Sequence, residues 1–180
     1  MLTLITGGIR SGKSAQALER ARSFPGPKYF LATAEPLDEE MKLRITRHQA
    51  ERGLEFLTIE EPVHLSSALK KIPQEQGLIL IDCLTLWINN LLFHFENEPA
   101  RVQNEIESFL EEIRQKKSDM IFVTNEVGLG LIPNHPLSRR YIDQLGNLNQ
   151  RVARLCDEVI LMVAGRALSI QGEVHARLDR

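Results

Sequence analysis

The chain has 180 residues, 43% of them hydrophobic, so it is long enough to bury one substantial core and short for two. Its 22 basic and 24 acidic residues leave a formal charge of -2, which disfavours nucleic acid as a partner. No apolar stretch approaches the roughly 20 residues that a membrane-spanning helix needs. We therefore expect a single domain over residues 1–180 that meets neither nucleic acid nor a membrane.

The cysteines indicate the cellular compartment. Cys83 and Cys156 are far apart in the chain, and each adjoins apolar sequence. This placement predicts two buried, reduced thiols rather than a disulfide or a metal framework. The chain also begins with an apolar segment that has no basic leader before it, which favours a cytoplasmic protein.

A phosphate-binding loop is predicted at the beginning of the chain. The apolar run 2–5 leads into Gly7-Gly8-Ile9-Arg10-Ser11-Gly12-Lys13-Ser14, which fits the pattern G-x-x-x-x-G-K-[ST] at every specified position. In such a loop the backbone N–H groups surround phosphate oxygens, the lysine adds a positive charge, and the last hydroxyl can bind Mg²⁺. The helix-forming run 15–22 would point its N-terminus at the anion. A flexible turn is the alternative, but the pattern favours a nucleoside triphosphate site.

Short apolar runs typical of β-strands alternate with helical stretches along the rest of the chain. The runs are continuous rather than alternating in polarity, as expected of strands that are covered on both faces. The pattern predicts a single-domain α/β fold like that of P-loop NTPases, with a mostly parallel central sheet and helices on both faces. The predicted strands are Leu2–Thr6, Tyr29–Thr33, Leu78–Asp82, Met120–Thr124 and Val159–Val163, with an edge strand at 168–170.

Helical periodicity marks three further segments. Apolar residues recur at helical spacing over 102–113 and over 137–155, which predicts two helices that face the core. A third helix is predicted after Asp38, which can cap its N-terminus, and it would end at Gly53. Its apolar stripe has His48 on one edge.

Polar residues follow two of the predicted strands, at the sheet edge where α/β proteins bind ligands. Asp82 ends one strand and could bind Mg²⁺ together with Ser14, unless it only caps the helix that follows. Asn125 and Glu126 follow another strand and could contact substrate hydroxyls or metal-bound water, although a solvated loop fits nearly as well.

Other charged residues carry weaker signals. Arg10, Arg139 and Arg140 could neutralise phosphate charge, but surface ion pairs are the commoner fate of arginine. The histidines show no metal-ligand spacing, so a zinc site is not supported. From its own surroundings, His48 is better interpreted as a partly buried structural residue than as a reactive one.

The residues leave two classes of function open. One is a small enzyme that transfers a phosphoryl or nucleotidyl group, and the other is an NTP-binding switch protein. A GTPase switch normally reads its base with N-K-x-D, which the chain lacks. The D-x-x-G match at 143–146 lies within a predicted helix rather than after a strand. These observations favour the enzyme.

Four segments, taken together, are more specific than the loop alone. They are Thr6 to Ser14, Ala32-Thr33-Ala34, the stretch 38–48, and Thr124-Asn125-Glu126-Val127-Gly128. Together they resemble the bifunctional adenosylcobinamide kinase/adenosylcobinamide-phosphate guanylyltransferase family, and the resemblance covers nearly the whole chain. It implies two steps of cobalamin assembly. ATP or GTP phosphorylates adenosylcobinamide, and GTP then donates GMP to that phosphate with release of pyrophosphate.

The resemblance also implies roles for individual residues. His48 matches the histidine that carries GMP in this family, which reverses its structural interpretation. Mg²⁺ is the implied cofactor, held by Ser14 and Asp82, and the family's homotrimer is implied as well. Nucleotide contacts are implied for the phosphate loop Gly7 to Ser14, Ala32-Thr33-Ala34, Gln49-Ala50-Glu51-Arg52, Glu60 and Asp82.

Two positions depart from the family pattern. Arg47 stands where some members have a second histidine, and Asp82 stands where the family often has glutamate. Neither change removes the chemistry, because the shorter carboxylate still suits Mg²⁺ or a ribose hydroxyl. The runner-up function is a single-step P-loop kinase for another small hydroxyl substrate.

Overall fold

A computed structural model of the protein describes residues 1–73 and 77–172. Its strands are β1 (Leu2–Gly7), β2 (Lys28–Ala32), β3 (Leu57–Glu60), β4 (Leu78–Asp82), β5 (Asp119–Val123), β6 (Glu158–Val163) and β7 (Arg166–Gln171). They form one seven-stranded sheet in the order β3-β2-β4-β5-β1-β6-β7. All neighbouring strands from β3 to β6 pair in parallel, and β7 runs antiparallel to β6. The predicted mostly parallel sheet is confirmed.

Helices cover both faces of this sheet, as predicted. They are α1 (Lys13–Arg22), α2 (Glu39–Arg52), α3 (Leu65–Lys71), α4 (Leu84–His94), α5 (Pro99–Gln115) and α6 (Pro136–Ala153). On one face, α1 packs against the sheet, whereas α3 to α6 form the larger core on the other face. The predicted apolar stripes of α5 and α6 are buried in that larger core.

The strand β4 shows why its sequence is a continuous apolar run. Successive side chains of a strand point to opposite faces of the sheet. Leu78 and Leu80 pack in the core beside α1, whereas Ile79 and Ile81 pack in the core formed with α3 to α6. Because both faces are covered by helices, every position of the strand except its last is buried.

Three elements were not predicted as such. β3 is an edge strand in which Leu57 is exposed and only Ile59 is half-buried, so it lacks a continuous apolar run. α3 has only 7 residues, too few to show a helical period. The sequence indicates α4 only through the alternative role of Asp82 as a helix cap, because this helix is apolar on most of its surface and so shows no stripe.

The structure also bears on the predictions about membrane-spanning helices and about the two cysteines. Among the described residues, no helix combines the length and apolar character needed to cross a membrane. Both cysteines are free, and Cys156 is buried as predicted. Cys83 is only half-buried, contrary to prediction, because it lines an open cavity at the carboxyl end of β4.

The helix α2 depends on its capping residues. Asp38 is its N-cap, and Oδ1 of Asp38 accepts a hydrogen bond from the Met41 backbone N–H at 2.7 Å. Gly53 ends the helix with a φ of 70°. Both caps were predicted. Of the α2 side chains that the structure describes, only Arg52 is buried, so tertiary packing contributes little to holding this helix in place.

We expect Asp38→Ala to weaken α2 selectively. Losing an N-cap side chain costs about 1 kcal/mol, which corresponds to roughly fivefold faster opening of the helix end. Hydrogen exchange followed by mass spectrometry should show this acceleration in peptides from 39–52 and none in α5. Asp38→Asn keeps the acceptor oxygen and should exchange like the wild type. Unchanged exchange in the alanine variant would show that the cap does not limit α2.

Candidate active site

The phosphate loop joins β1 to α1 and packs against the turn between β6 and β7. Gly7 has a φ of 150°, and a Cβ there would lie 2.4 Å from the Met162 backbone oxygen. The Gly165 N–H donates to the Ser11 carbonyl at 3.0 Å. Gly12 caps α1 in the left-handed conformation, with φ 98°. The N-terminus of α1 therefore begins directly at the loop, an arrangement suited to an anion.

The lysine of the loop is held inside it. Lys13 is buried, and its Nζ donates to the Gly8 carbonyl at 2.6 Å and to Ser11 Oγ at 3.5 Å. These partners are oxygens of the loop itself, which phosphate oxygens can replace. The charge is thus kept at the position where a phosphate would bind.

A cavity of about 260 Å³ opens beside the loop at the carboxyl edge of the sheet. It brings together residues from α1, α2 and three strands that are far apart in the sequence. The predicted site residues that line it are Ser14, Ala32, Ala34, His48, Gln49, Arg52, Glu60 and Asp82. The predicted nucleophile and the predicted metal ligands therefore share one cavity.

Other predicted residues lie outside the cavity lining. Thr33 is buried, and its Oγ1 donates to the Cys83 carbonyl and accepts from the Cys83 N–H, both at 2.8 Å, so it supports the end of β4. Ile9 and Arg10 are exposed on the loop, and Ala50 is exposed on α2. The side chain of Glu51 lies outside what the structure describes.

Several residues that line the cavity were not predicted from the sequence to belong to a site. They are Phe30, Pro36, Met41, Ile45, Cys83 and Leu86. The spacing contained a signal for some of them. Met41 and Ile45 share the helical stripe that carries His48. Phe30 lies two positions before Ala32 on the same strand and therefore faces the same side of the sheet.

Asp82 is the acidic centre of the cavity. Burial raises the pKa of its carboxyl above the ordinary value, against the opposing effects of a hydrogen bond from Ser14 and the charges of His48, Lys13 and Arg52. Ser14 and Asp82 thus present a hydroxyl and a carboxylate side by side, and these oxygen ligands fit Mg²⁺. The described residues contain no cluster of three or more His, Cys, Asp or Glu side chains suited to a metal. Phosphate oxygens and water would have to complete such a site.

Arg52 carries a buried guanidinium next to these groups. Its Cζ lies 4.0 Å from the centroid of the Phe30 ring, and its Nε donates to the His48 carbonyl at 3.1 Å. Burial lowers the pKa of Arg52, while Asp82 and Glu60 raise it. Within the described part of the chain, Nη1 is buried without a hydrogen-bond partner. A buried donor of this kind is costly unless a ligand supplies the acceptor.

Asn125 and Glu126 emerge at the ligand-facing edge, as predicted, but outside the cavity lining. The Asn125 N–H donates to Thr85 Oγ1 at 2.8 Å, and the Glu126 N–H donates to the Gly7 carbonyl at 3.2 Å. Both residues are half-buried. Arg139 and Arg140 instead donate to backbone carbonyls, those of Pro133 and Asn134 for the first and that of Glu96 for the second.

These features define a P-loop nucleotide-binding protein with an acidic strand end beside the loop. The fold is similar to that of the RadB recombinase, with a TM-score of 0.54 and 15% sequence identity, over 97% of this chain and 82% of that one. The predicted fold class is confirmed, and at this identity the likeness concerns the fold alone.

Sequence comparison identifies the family. Residues 3–170 match the family described as cobinamide kinase/cobinamide phosphate guanyltransferase, CobU. The chain is 40% identical over 173 residues to the bifunctional adenosylcobalamin biosynthesis protein CobP of Pseudomonas aeruginosa, covering 96% of this chain and 99% of the relative. It is 35% identical to CobU of Salmonella typhimurium, covering 95% of this chain and all of the relative. The chain belongs to the CobU family, and the predicted family and enzyme class, a kinase and guanylyltransferase, are confirmed.

We expect Asp82→Asn to stabilise the nucleotide-free protein. Because the folded-state pKa of Asp82 lies above its ordinary value of 3.8, the folded chain holds this proton more tightly than the unfolded chain does. The free energy of unfolding of the wild type should therefore fall as the pH rises from about 4 towards the folded-state pKa. The amide cannot ionise, so the variant should lack this fall and be more stable at pH 7.

Urea unfolding at a series of pH values from about 4 to 8 measures this difference. Asp143→Asn, at an exposed position of α6, is the matched control and should keep the wild-type slope. If the free energy of unfolding of Asp82→Asn falls with pH as steeply as that of the wild type, burial does not destabilise the ionised form of Asp82.

Proposed function

We propose that this protein phosphorylates adenosylcobinamide with ATP or GTP and then transfers GMP from GTP to the product through a guanylyl-histidine at His48. The observation that carries the proposal is the shared cavity, in which His48 on α2 lines the same space as Ser14 and Asp82. Membership of the CobU family supports both reactions. A nucleophile beside a phosphate loop suits attack on a bound triphosphate.

The first reaction is a phosphoryl transfer. The aminopropanol hydroxyl of the substrate attacks the γ-phosphorus, and the bond from that phosphorus to the bridging oxygen breaks. The loop N–H groups and Lys13 would hold the triphosphate and stabilise the charge that develops on its oxygens. Such catalysis depends chiefly on positioning and electrostatics.

The second reaction proceeds by two displacements. An unprotonated ring nitrogen of His48 attacks the α-phosphorus of GTP, and pyrophosphate leaves. A phosphate oxygen of adenosylcobinamide phosphate then attacks the same phosphorus, and the P–N bond to His48 breaks. Among the residues that the structure describes, none pairs with Nη1 of Arg52 in the same cavity, which supports a role for this nitrogen in binding the nucleotide.

Mg²⁺ completes the proposed machinery. Ser14 and Asp82 would hold it, and it would offset negative charge on the triphosphate. We further propose that residues 1–180 act as one catalytic domain, because all described strands join a single sheet. The cytoplasmic location and the homotrimer implied by the family stay predictions.

We expect GTP labelled at its α-phosphate to leave an acid-labile, base-stable label on the wild-type protein. His48→Ala should abolish the label, because it removes the attacking nitrogen, and should leave the fold intact. Mass spectrometry of the intact protein should show a GMP-sized increment on the peptide that contains His48. His64→Gln is the matched control, since His64 pairs with Glu105 at 2.8 Å and does not line the cavity.

The result also separates the candidate functions. An unlabelled wild-type protein would overturn the assignment of His48. Kinase turnover without any covalent GMP would point to the single-step kinase. Tight nucleotide binding without transfer to either substrate would point to a switch protein.

We expect Lys13→Ala to cripple both reactions, because one phosphate loop serves both. Initial rates of adenosylcobinamide phosphorylation and of histidine labelling should each fall by about 100-fold or more, the scale on which lost transition-state contacts act. Lys70→Ala, at an exposed lysine paired with Glu112, should leave both rates unchanged. Retention of either activity in Lys13→Ala would mean that a second nucleotide site exists.

A further inference from the structure

A carboxylate stands beside the first residue of the phosphate loop, outside the lining of the cavity that contains His48. Glu126 follows β5, which lies between β4 and β1 in the sheet. Its N–H donates to the carbonyl of Gly7, the first residue of the loop, at 3.2 Å. Glu126 does not line the cavity that contains His48, Ser14 and Asp82. Glu126 therefore adjoins the loop without belonging to the lining of that cavity.

One oxygen of this carboxylate is anchored. Oε1 of Glu126 accepts from Thr6 Oγ1 at 2.8 Å and from Asn149 Nδ2 at 3.5 Å. Asn149 is buried on α6 and is itself held by Thr124 Oγ1, which donates to its Oδ1 at 2.7 Å. Asn149 Nδ2 also donates to the Asn125 carbonyl at 3.0 Å. The side chain is thus held by β1, the end of β5 and α6 together.

The other oxygen is uncommitted. Across residues 1–73 and 77–172, Oε2 of Glu126 takes part in no hydrogen bond, and the carboxylate forms no ion pair. A negative charge here repels the triphosphate that the loop binds, so it opposes binding unless it has a chemical task. Ser14 and Asp82 already present the oxygen pair suited to Mg²⁺. Accepting a proton is the task that remains for Glu126.

We propose that Glu126 is the general base of the kinase reaction and takes no part in guanylylation of His48. This inference rests on the proposed kinase function. The substrate hydroxyl oxygen forms a bond to the γ-phosphorus as the bond to the bridging oxygen breaks, and the hydroxyl proton passes to Oε2 of Glu126. The nucleoside diphosphate leaves with the electron pair of the broken bond. The two reactions thus share the loop but use different side chains beside it.

Glu126→Gln tests the proposal, because the amide oxygen can keep both anchoring hydrogen bonds but no longer accepts a proton. With adenosylcobinamide, ATP and Mg²⁺, kcat should fall by about 100-fold or more, the usual contribution of a general base, while KM for ATP stays within about twofold. Labelling of the same preparation by α-labelled GTP should stay within about twofold of the wild type. Glu111→Gln, at an exposed glutamate of α5, should change neither activity.

Other outcomes overturn the inference. Equal losses of kinase and labelling would mean that Glu126 only supports the loop, and recovery of the kinase at tenfold higher Mg²⁺ would assign the carboxylate to the metal. If the wild type and Glu126→Gln have equal kinase activity, only this inference is overturned. If the wild type has no kinase activity, the proposed function is overturned as well. If the glutamine variant does not fold, Glu126→Asp decides. We expect it to lower the kinase kcat about 10-fold with unchanged labelling, and a parallel loss of both would overturn the proposal.

Discussion

The close approach of β1 to β6 at Gly7 is the constraint on which the site depends. A side chain at this position would place its own Cβ 2.4 Å from the Met162 carbonyl oxygen, which is too close for the two atoms to coexist. Glycine lets the chain leave the sheet beside β6 and turn at once into the loop. The turn between β6 and β7 then supports the loop through the bond from Gly165 to Ser11. As a result α1 begins where the sheet ends, and its N-terminus lies at the sheet's carboxyl edge.

The charged groups buried around this loop are only partly stabilised by one another. Burial raises the pKa of Asp82 and lowers that of Arg52, so each group is strained in the charged form. One nitrogen of Arg52 has no partner within the described residues. A bound nucleotide and its metal ion would supply the missing opposite charges and acceptors. The folded protein thus holds these groups in place before the ligand binds, at a cost in the free energy of folding, and this preorganises the site.

In the proposed scheme, two reactions share one phosphate loop but use different side chains beside it. Glu126 follows β5, which lies between β4, which carries Asp82, and β1, which leads into the loop. His48 reaches the loop from α2, a helix that has few buried side chains and depends on its caps. Glu126 is instead anchored by the buried Asn149 and Thr6. In the proposed scheme, a nucleophile on a largely exposed helix suits a group that carries GMP between two partners, and an anchored carboxylate suits a proton transfer at a fixed point.

The sequence by itself determined the phosphate loop, the mostly parallel sheet, the buried stripes of α5 and α6, the caps of α2 and the family. These features are local, because a motif, an apolar run or a helical period is written in neighbouring residues. The tertiary structure alone decided which distant residues share the cavity. The edge strand β3 and the short α3 left no periodic signal, so the position of Glu60 and the burial of Arg52 against Phe30 followed only from packing. Asn125 and Glu126 fitted a solvated loop as well as a site, because the contacts that hold them come from β1, α4 and α6, which pairing and packing bring together.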